Sequence, residues 1–221
     1  MTAAYRTPAA LAAAARAAGV RDQRVLAVIA ELPRAAFVPP KLVREAYVDE
    51  PIRIAHRQVT TQPSLVAKMA EALHLQGGER VLEIGTGYGY QTALLAHLAR
   101  EVWSVELWPD LTAAARPALA GQRITNVRLV VGDGTQGLPE QAPFDAIVVS
   151  AAFPEVPEPL ADQLGEGGRL VQPIGPGGHE DVVLFMKRDG RLRRMRSLTA
   201  ARFVKLYGAH GYALAEAPSD P

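Results

Sequence analysis

Three glycines in alternation, Gly85, Gly87 and Gly89, stand between the apolar run Val81-Leu82-Glu83-Ile84 and a helix-forming stretch that starts at Tyr90. A strand that passes through such a loop into a helix brings its backbone close to a ligand at the carboxyl end of a sheet, where open α/β proteins bind nucleotides. Glu106 follows Gly85 by 21 residues, at the end of the next apolar run. A carboxylate there can accept hydrogen bonds from both hydroxyls of a ribose. A third run ends in Gly132-Asp133-Gly134, which offers a second close approach and a carboxylate placed for an adenine amino group.

The spacing is Gly-x-Gly-x-Gly, whereas the pyrophosphate-binding fingerprint of dinucleotide enzymes sets its last glycine one residue further on. S-Adenosylmethionine has a ribose and an adenine but no phosphate, and its ammonium could lie near Glu83, so the loop favours it over NAD. Thr86, Tyr88 and Gln91 within the loop and Leu107 after Glu106 complete the candidate cofactor set. Tyr88 would pack on adenine or ribose, while Trp108 reads as core. The chain has no cysteine, which excludes disulfides, thiolate nucleophiles and Cys-ligated zinc. Its five histidines, His56, His74, His97, His179 and His210, are scattered and read as structural or solvated, and no metal is expected.

A scaffold for these residues is legible around them. Short β-rich runs at 81–84, 102–106, 127–131, 146–150 and 170–174 alternate with helical stretches, as in a doubly wound parallel sheet. Beyond them, 182–187 and 192–198 flank Asp189-Gly190, an antiparallel hairpin with a two-residue turn. Ahead of them, Thr7, Pro8 and Gly19 bracket an alanine-rich helix with Thr7 as its cap. Asp22 caps a second, with Val25, Leu26, Val28, Ile29 and Leu32 at helical spacing, and Pro63 opens a third that ends at Gly77-Gly78. The stretch 37–62 carries Pro39, Pro40 and Pro51 without a sustained period and reads as a long loop, expected to close as a lid. The 221 residues, 48% hydrophobic and 21% charged, suit a single globular domain. A net charge of +1 is too small for the phosphate attraction of a nucleic-acid binder. No leader pattern and no apolar run of roughly 20 residues is present, so a cytoplasmic protein without a membrane partner is expected.

The runs VLEIGTGYGYQTALLAHLA and FDAIVVSAAFPEVPEPLADQLGEGGRLVQPIG resemble protein-L-isoaspartate O-methyltransferases, a class I S-adenosylmethionine-dependent family. The similarity extends over 25–211 and includes RAAFVPPKLVREAYVDEPIRI and RFVKLYGAHGY. The Gly-Tyr-Gln ending of the loop and the segment Ser-Ala-Ala-x-Pro-Glu-x-Pro are its most particular features. The resemblance implies a Rossmann-like, mostly parallel seven-stranded sheet with helices on both faces. It also implies a monomer that methylates the α-carboxyl of L-isoaspartyl residues in damaged proteins and releases S-adenosylhomocysteine. On this reading 1–62 holds the N-terminal helices and substrate loop, 63–150 the cofactor-binding core, and 151–221 the sheet edge and substrate groove. A carboxylate with a pKa of about 4 is already ionised at neutral pH, so the reaction needs alignment and exclusion of water rather than a general base.

Thr60, Thr61, Gln62 and Pro63 form a helix N-terminus, whose free amides and partial positive charge suit a carboxylate. The family's loop reads Gly-Gln-Thr-Ile-Ser-Gln-Pro where this chain has Arg57-Gln58-Val59-Thr60-Thr61-Gln62-Pro63. The resemblance gives Thr61 the serine's substrate-orienting role. Arg57 replaces a glycine and could recognise a second acid group, Val59 replaces a threonine, and Lys205 stands where a proline is usual in the peptide groove. With Thr60 these form the candidate substrate-binding set. As plain structure, Thr61 is a helix cap, Arg57 a solvated loop residue and Lys205 part of a charge-protected edge strand. The three departures leave open a relative that methylates another carboxylate, in a modified peptide or a small acid. A non-catalytic S-adenosylmethionine-binding module and an NAD-dependent oxidoreductase are the further alternatives.

Overall fold

The computed structural model describes residues 7–176 and 178–216; the first six residues and the Pro/Ser/Asp tail lie outside them. Helix α1 (Pro8–Ala17) opens on its proline, and the hydroxyl of Thr7 makes no capping bond, contrary to expectation. Helix α2 (Gln23–Glu31) is capped as expected, the Asp22 carboxylate accepting from the amides of Arg24 and Val25. Helix α3 (Pro63–Leu73) stops short of Gly77-Gly78, because His74 turns left-handed at φ 54°. These helices bury Leu11, Ile29, Met69 and Leu73 in one cluster.

Strands β3 (Arg80–Ile84), β4 (Glu101–Glu106), β5 (Val127–Val131), β6 (Phe144–Val149), β7 (Leu164–Ile174), β8 (Glu180–Arg188) and β9 (Arg191–Ala201) form one sheet in the order β5-β4-β3-β6-β7-β8-β9. Pairing is parallel from β5 to β7 and antiparallel from β7 to β9. The chain runs outward from β3 to β5, then returns to β3's other side as β6, which makes the carboxyl ends of β3 and β6 the switch point where such sheets bind ligands. Asp189 and Gly190 both have positive φ, 54° and 69°, as a tight hairpin turn requires.

Both faces of the central strands are buried, but the helices are divided unequally. Val81, Val102, Ala146, Val148 and Val171 face the cluster that holds α1, α2, α3, α4 (Tyr90–Leu98) and α5 (Pro109–Gly121). Leu82, Ile84, Val105, Ile147 and Leu170 face the other way, under α6 (Glu158–Gln163), Leu138 and Leu206.

The stretch 37–62 departs most from expectation. Single turns of 3₁₀ helix at Arg34–Phe37 and Pro40–Glu45 lead into β1 (Ile52–Arg53) and β2 (Val59–Thr60), an antiparallel pair with Ile52 opposite Thr60. A buried cation organises it. The Arg34 guanidinium donates to the carbonyls of Ala46, Val48, Glu50 and Thr61 at 3.3, 2.9, 3.0 and 3.2 Å and to the Thr60 hydroxyl at 3.0 Å. It also lies 5.8 Å from the Tyr90 ring centroid. Burial lowers its pKa to about 10, which leaves it charged at neutral pH.

Candidate functional site

The glycine loop folds as the spacing requires. Gly85 takes φ 98°, its amide bonds the Val105 carbonyl at 2.8 Å, and a Cβ there would press within 3.3 Å of Ser150 Cβ. Gly134 lies directly on the end of β3, where a Cβ would run into Ile84. Between these elements opens a concave cleft at the carboxyl ends of the strands. Gly85, Thr86, Gly87, Tyr88, Gly89 and Gln91 line it from the loop, Glu106, Leu107 and Trp108 from the end of β4, and Gly134 from beyond β5.

Glu106 is 5% exposed. Its Oε2 accepts from the Gly87 amide at 2.8 Å and its Oε1 from the Trp108 amide at 3.0 Å. Each oxygen keeps a further acceptor site, so the carboxylate is held by backbone with capacity for two more donors, such as a pair of vicinal hydroxyls. Burial pushes its pKa up, against the pull of the Gly87, Trp108 and Leu107 amides.

Glu83 is not on the cleft. It is fully buried and accepts from Thr92 Oγ1 at 2.5 Å, Ser104 Oγ at 2.6 Å and Gln91 Nε2 at 3.1 Å, so it braces the loop from behind instead of meeting an ammonium. Burial carries its pKa up to about 7, against the three hydrogen bonds. The folded chain therefore holds a proton that the unfolded chain has lost, and stability falls as pH rises from about 4.5 to about 7, then levels. Glu83→Gln removes that slope: in urea unfolding at pH 5 and pH 8, the variant is expected to gain about 2 kcal/mol on the parent at the higher pH. Parallel stabilities at the two pH values would contradict it.

Asp133 and Gly132 also lie off the cleft. Asp133 Oδ1 accepts from the Thr135 amide and hydroxyl at 2.9 and 2.6 Å, and Oδ2 from Gln136 Nε2 and the Ala209 amide at 3.1 and 2.7 Å. Four donors already engage the carboxylate, which lines a neighbouring pocket that shares Leu107 with the cleft. Partial burial pushes its pKa up, but these donors outweigh it and the net shift is downward. Its work is to anchor the segment around Gly208 and Ala209. The Gly132 amide bonds the Glu106 carbonyl at 2.9 Å.

A second cavity runs between α3 and the end of β9, with Gln62, Ser64, Lys68, Arg202 and Phe203 among its walls. Val59 and Thr61 line both cavities. Thr60 faces the inner cleft with its hydroxyl committed to Arg34. Lys205 also lines the cleft, its ammonium 4.3 Å over the Tyr212 ring, on a segment paired with Ala152. Arg57 is brought to neither cavity. It is exposed at the β1–β2 turn with φ 53°, a conformation that the glycine of the resembling loop takes without cost.

The N-terminus of α3 differs as well. Asp49 occupies it, Oδ1 accepting from the Ser64 amide at 2.8 Å and Oδ2 from Gln62 Nε2 at 2.9 Å, while the Leu65 and Val66 amides bond the Gln62 carbonyl. The amides of Ser64, Leu65 and Val66 are therefore already engaged within the fold. The residues that sequence reasoning missed are Asp49, Arg34 and Trp108. Trp108 stacks on His56, with ring centroids 4.1 Å apart and planes at 6°, and His56 Nε2 lies 2.8 Å from Asp110 Oδ1. Ile54 and Gln58 of the same hairpin line the cleft, so β1 and β2 roof it. Trp108 stands two residues after Glu106, and that nearness was its signal.

The family model described as protein-L-isoaspartate(D-aspartate) O-methyltransferase matches residues 6–211. A protein-L-isoaspartate O-methyltransferase of Methanoculleus marisnigri is 52% identical over 197 residues, covering 89% of each chain. One from Anaeromyxobacter dehalogenans is 56% identical over 191 residues, covering 85% of this chain and 91% of its own. A solved protein-L-isoaspartate O-methyltransferase superposes with a TM-score of 0.78 at 32% identity, covering 91% of this chain and 66% of that longer one. A Plasmodium falciparum chain solved with S-adenosyl-L-homocysteine shares the fold, with a TM-score of 0.77 at 23% identity over 91% of this chain and 98% of that one. These matches displace the oxidoreductase alternative. A glycine loop at the switch point, a backbone-held Glu106 and similarity along nearly the whole length place the chain in the protein-L-isoaspartate O-methyltransferase family.

Proposed function

We propose that the chain methylates the α-carboxyl of L-isoaspartyl residues in damaged proteins. The observation that carries this reading is the wall shared by two cavities, where Val59 and Thr61 stand between the glycine-loop cleft and an outer groove beside α3. The cleft fits S-adenosylmethionine: Glu106 has acceptor sites for two ribose hydroxyls, and the glycine backbone leaves room where side chains would intrude. Bound there, that cofactor supplies a sulfonium-activated methyl group and leaves as S-adenosylhomocysteine.

Gly85, Thr86, Gly87 and Gln91 would hold the amino-acid end, and Tyr88, Leu107 and Trp108 the adenosine. Thr61 donates its hydroxyl to the acceptor carboxylate and fixes its direction. Val59 and Thr60 shape the wall, and Lys205 sets a cation at its far side. The carboxylate is ionised at neutral pH, so no residue need remove a proton. The β1–β2 roof keeps water from competing. The reading extends to a cytoplasmic monomer without a nucleic-acid partner, in keeping with the net charge of +1. Among the described residues no helix is long and apolar enough to cross a membrane.

Labelled methyl transfer to two peptides that differ only in isoaspartate versus aspartate tests this. The isoaspartyl peptide is expected to take label and its twin to stay at background; equal labelling, or none, would sink the proposal.

A further inference from the structure

The outer groove carries charge that orienting one carboxylate does not use. Lys68 on α3 and Arg202 after β9 line it from opposite sides, and no Asp or Glu lines it. Among the described residues neither cation makes an ion pair or a side-chain hydrogen bond. Behind the walls, Asp49 holds Ser64 and Gln62 beside the Arg34 guanidinium, and one oxygen of Glu180 accepts from the Phe203 amide at 2.7 Å. The groove's own lining thus presents two cations and no carboxylate, on a chain whose net charge is only +1. Two unpaired cations facing one channel repel each other, a cost that an anion between them relieves.

From this we infer that the groove selects isoaspartyl sites flanked by acidic side chains, with Lys68 and Arg202 as the residues that determine the preference. The inference rests on the acceptor reading above. Lys68 lies five helical residues beyond Pro63, so its Cα is about 8 Å along the axis from the helix start, which equals two or three residues of extended peptide. An acidic side chain two or three positions from the isoaspartate comes within reach of one cation or both.

The test uses isoaspartyl peptides of one length carrying Glu, Gln or Lys at the second and third positions on either side, assayed for methylation and, without cofactor, for binding by fluorescence anisotropy. On one side of the acceptor, KM and Kd for the Glu peptide are expected to be roughly 5–10-fold below those for the Lys peptide at low ionic strength, and the gap to shrink at high salt. Lys68→Met and Arg202→Gln each reduce the gap, and the double variant closes it. Arg202 is exposed, so its variant folds even if Lys68→Met does not. Equal binding across the charge series, or a gap that survives in the double variant, overturns the inference. Methylation of no isoaspartyl peptide, with the anisotropy gap intact, overturns the acceptor reading instead and leaves the groove's preference for acidic chains standing.

Discussion

Arg34→Met is expected to lower stability by about 3–5 kcal/mol, because it leaves several acceptors around a buried cavity without a donor. Four of these are the carbonyls of Ala46, Val48, Glu50 and Thr61, and the fifth is the Thr60 hydroxyl. In a chain of this length that corresponds to a fall in Tm of roughly 10 °C by calorimetry. Methionine matches much of the volume but offers no donor, so the loss reports hydrogen bonding more than packing. The damage should be local first, with proteolytic cleavage appearing between 46 and 61 below the global transition. Arg34→Lys recovers only part of the loss, since one ammonium cannot reach five acceptors that a planar fork spans. A Tm within about 2 °C of the parent would show that water replaces the guanidinium at little cost.

Glu106→Ala is expected to weaken binding of S-adenosylhomocysteine by about 10²–10⁴-fold, measured by titration calorimetry. Two hydrogen bonds to an ionised acceptor at about 1.5–3 kcal/mol each set that scale. The substitution also releases the Gly87 and Trp108 amides, so the loop loses its preorganised shape along with its acceptors. Glu106→Gln keeps one acceptor and turns a donor toward the other position, and should fall between. A loss below about 5-fold for the alanine variant, about 1 kcal/mol, would mean that the ribose is held elsewhere.

The central sheet was legible because its inner strands are buried on both faces, so that they read as short, largely apolar runs between helices. The hairpin announced itself through Asp189-Gly190, and the glycine loop through its spacing. What stayed hidden depends on partners far along the chain. Arg34 gathers groups 12 to 27 residues away, and no local period could show that 37–62 folds around it. Asp133 had a convincing address at a strand end, yet Ala209, 76 residues later, takes part of its capacity. Asp49 reaches α3 from 15 residues upstream and fills the helix terminus that seemed open. Glu83 could have been placed from the pattern alone: alternation sets it on the same face as Val81, and the register puts it opposite Ser104, which hydrogen-bonds it.

On the proposed reading, the partition made by Val59 and Thr61 works as a ruler. In an isoaspartyl residue the carboxylate hangs directly from an atom of the main chain; in an aspartyl residue it hangs one carbon further out. The difference is one C–C bond, about 1.5 Å, and a displacement of about 1 Å from the productive geometry costs on the order of 10²-fold in rate. On the proposed reading, a groove that seats the main chain and a Thr61 hydroxyl that meets the carboxylate at one distance tell damaged from intact protein by length, whichever charges flank the lesion.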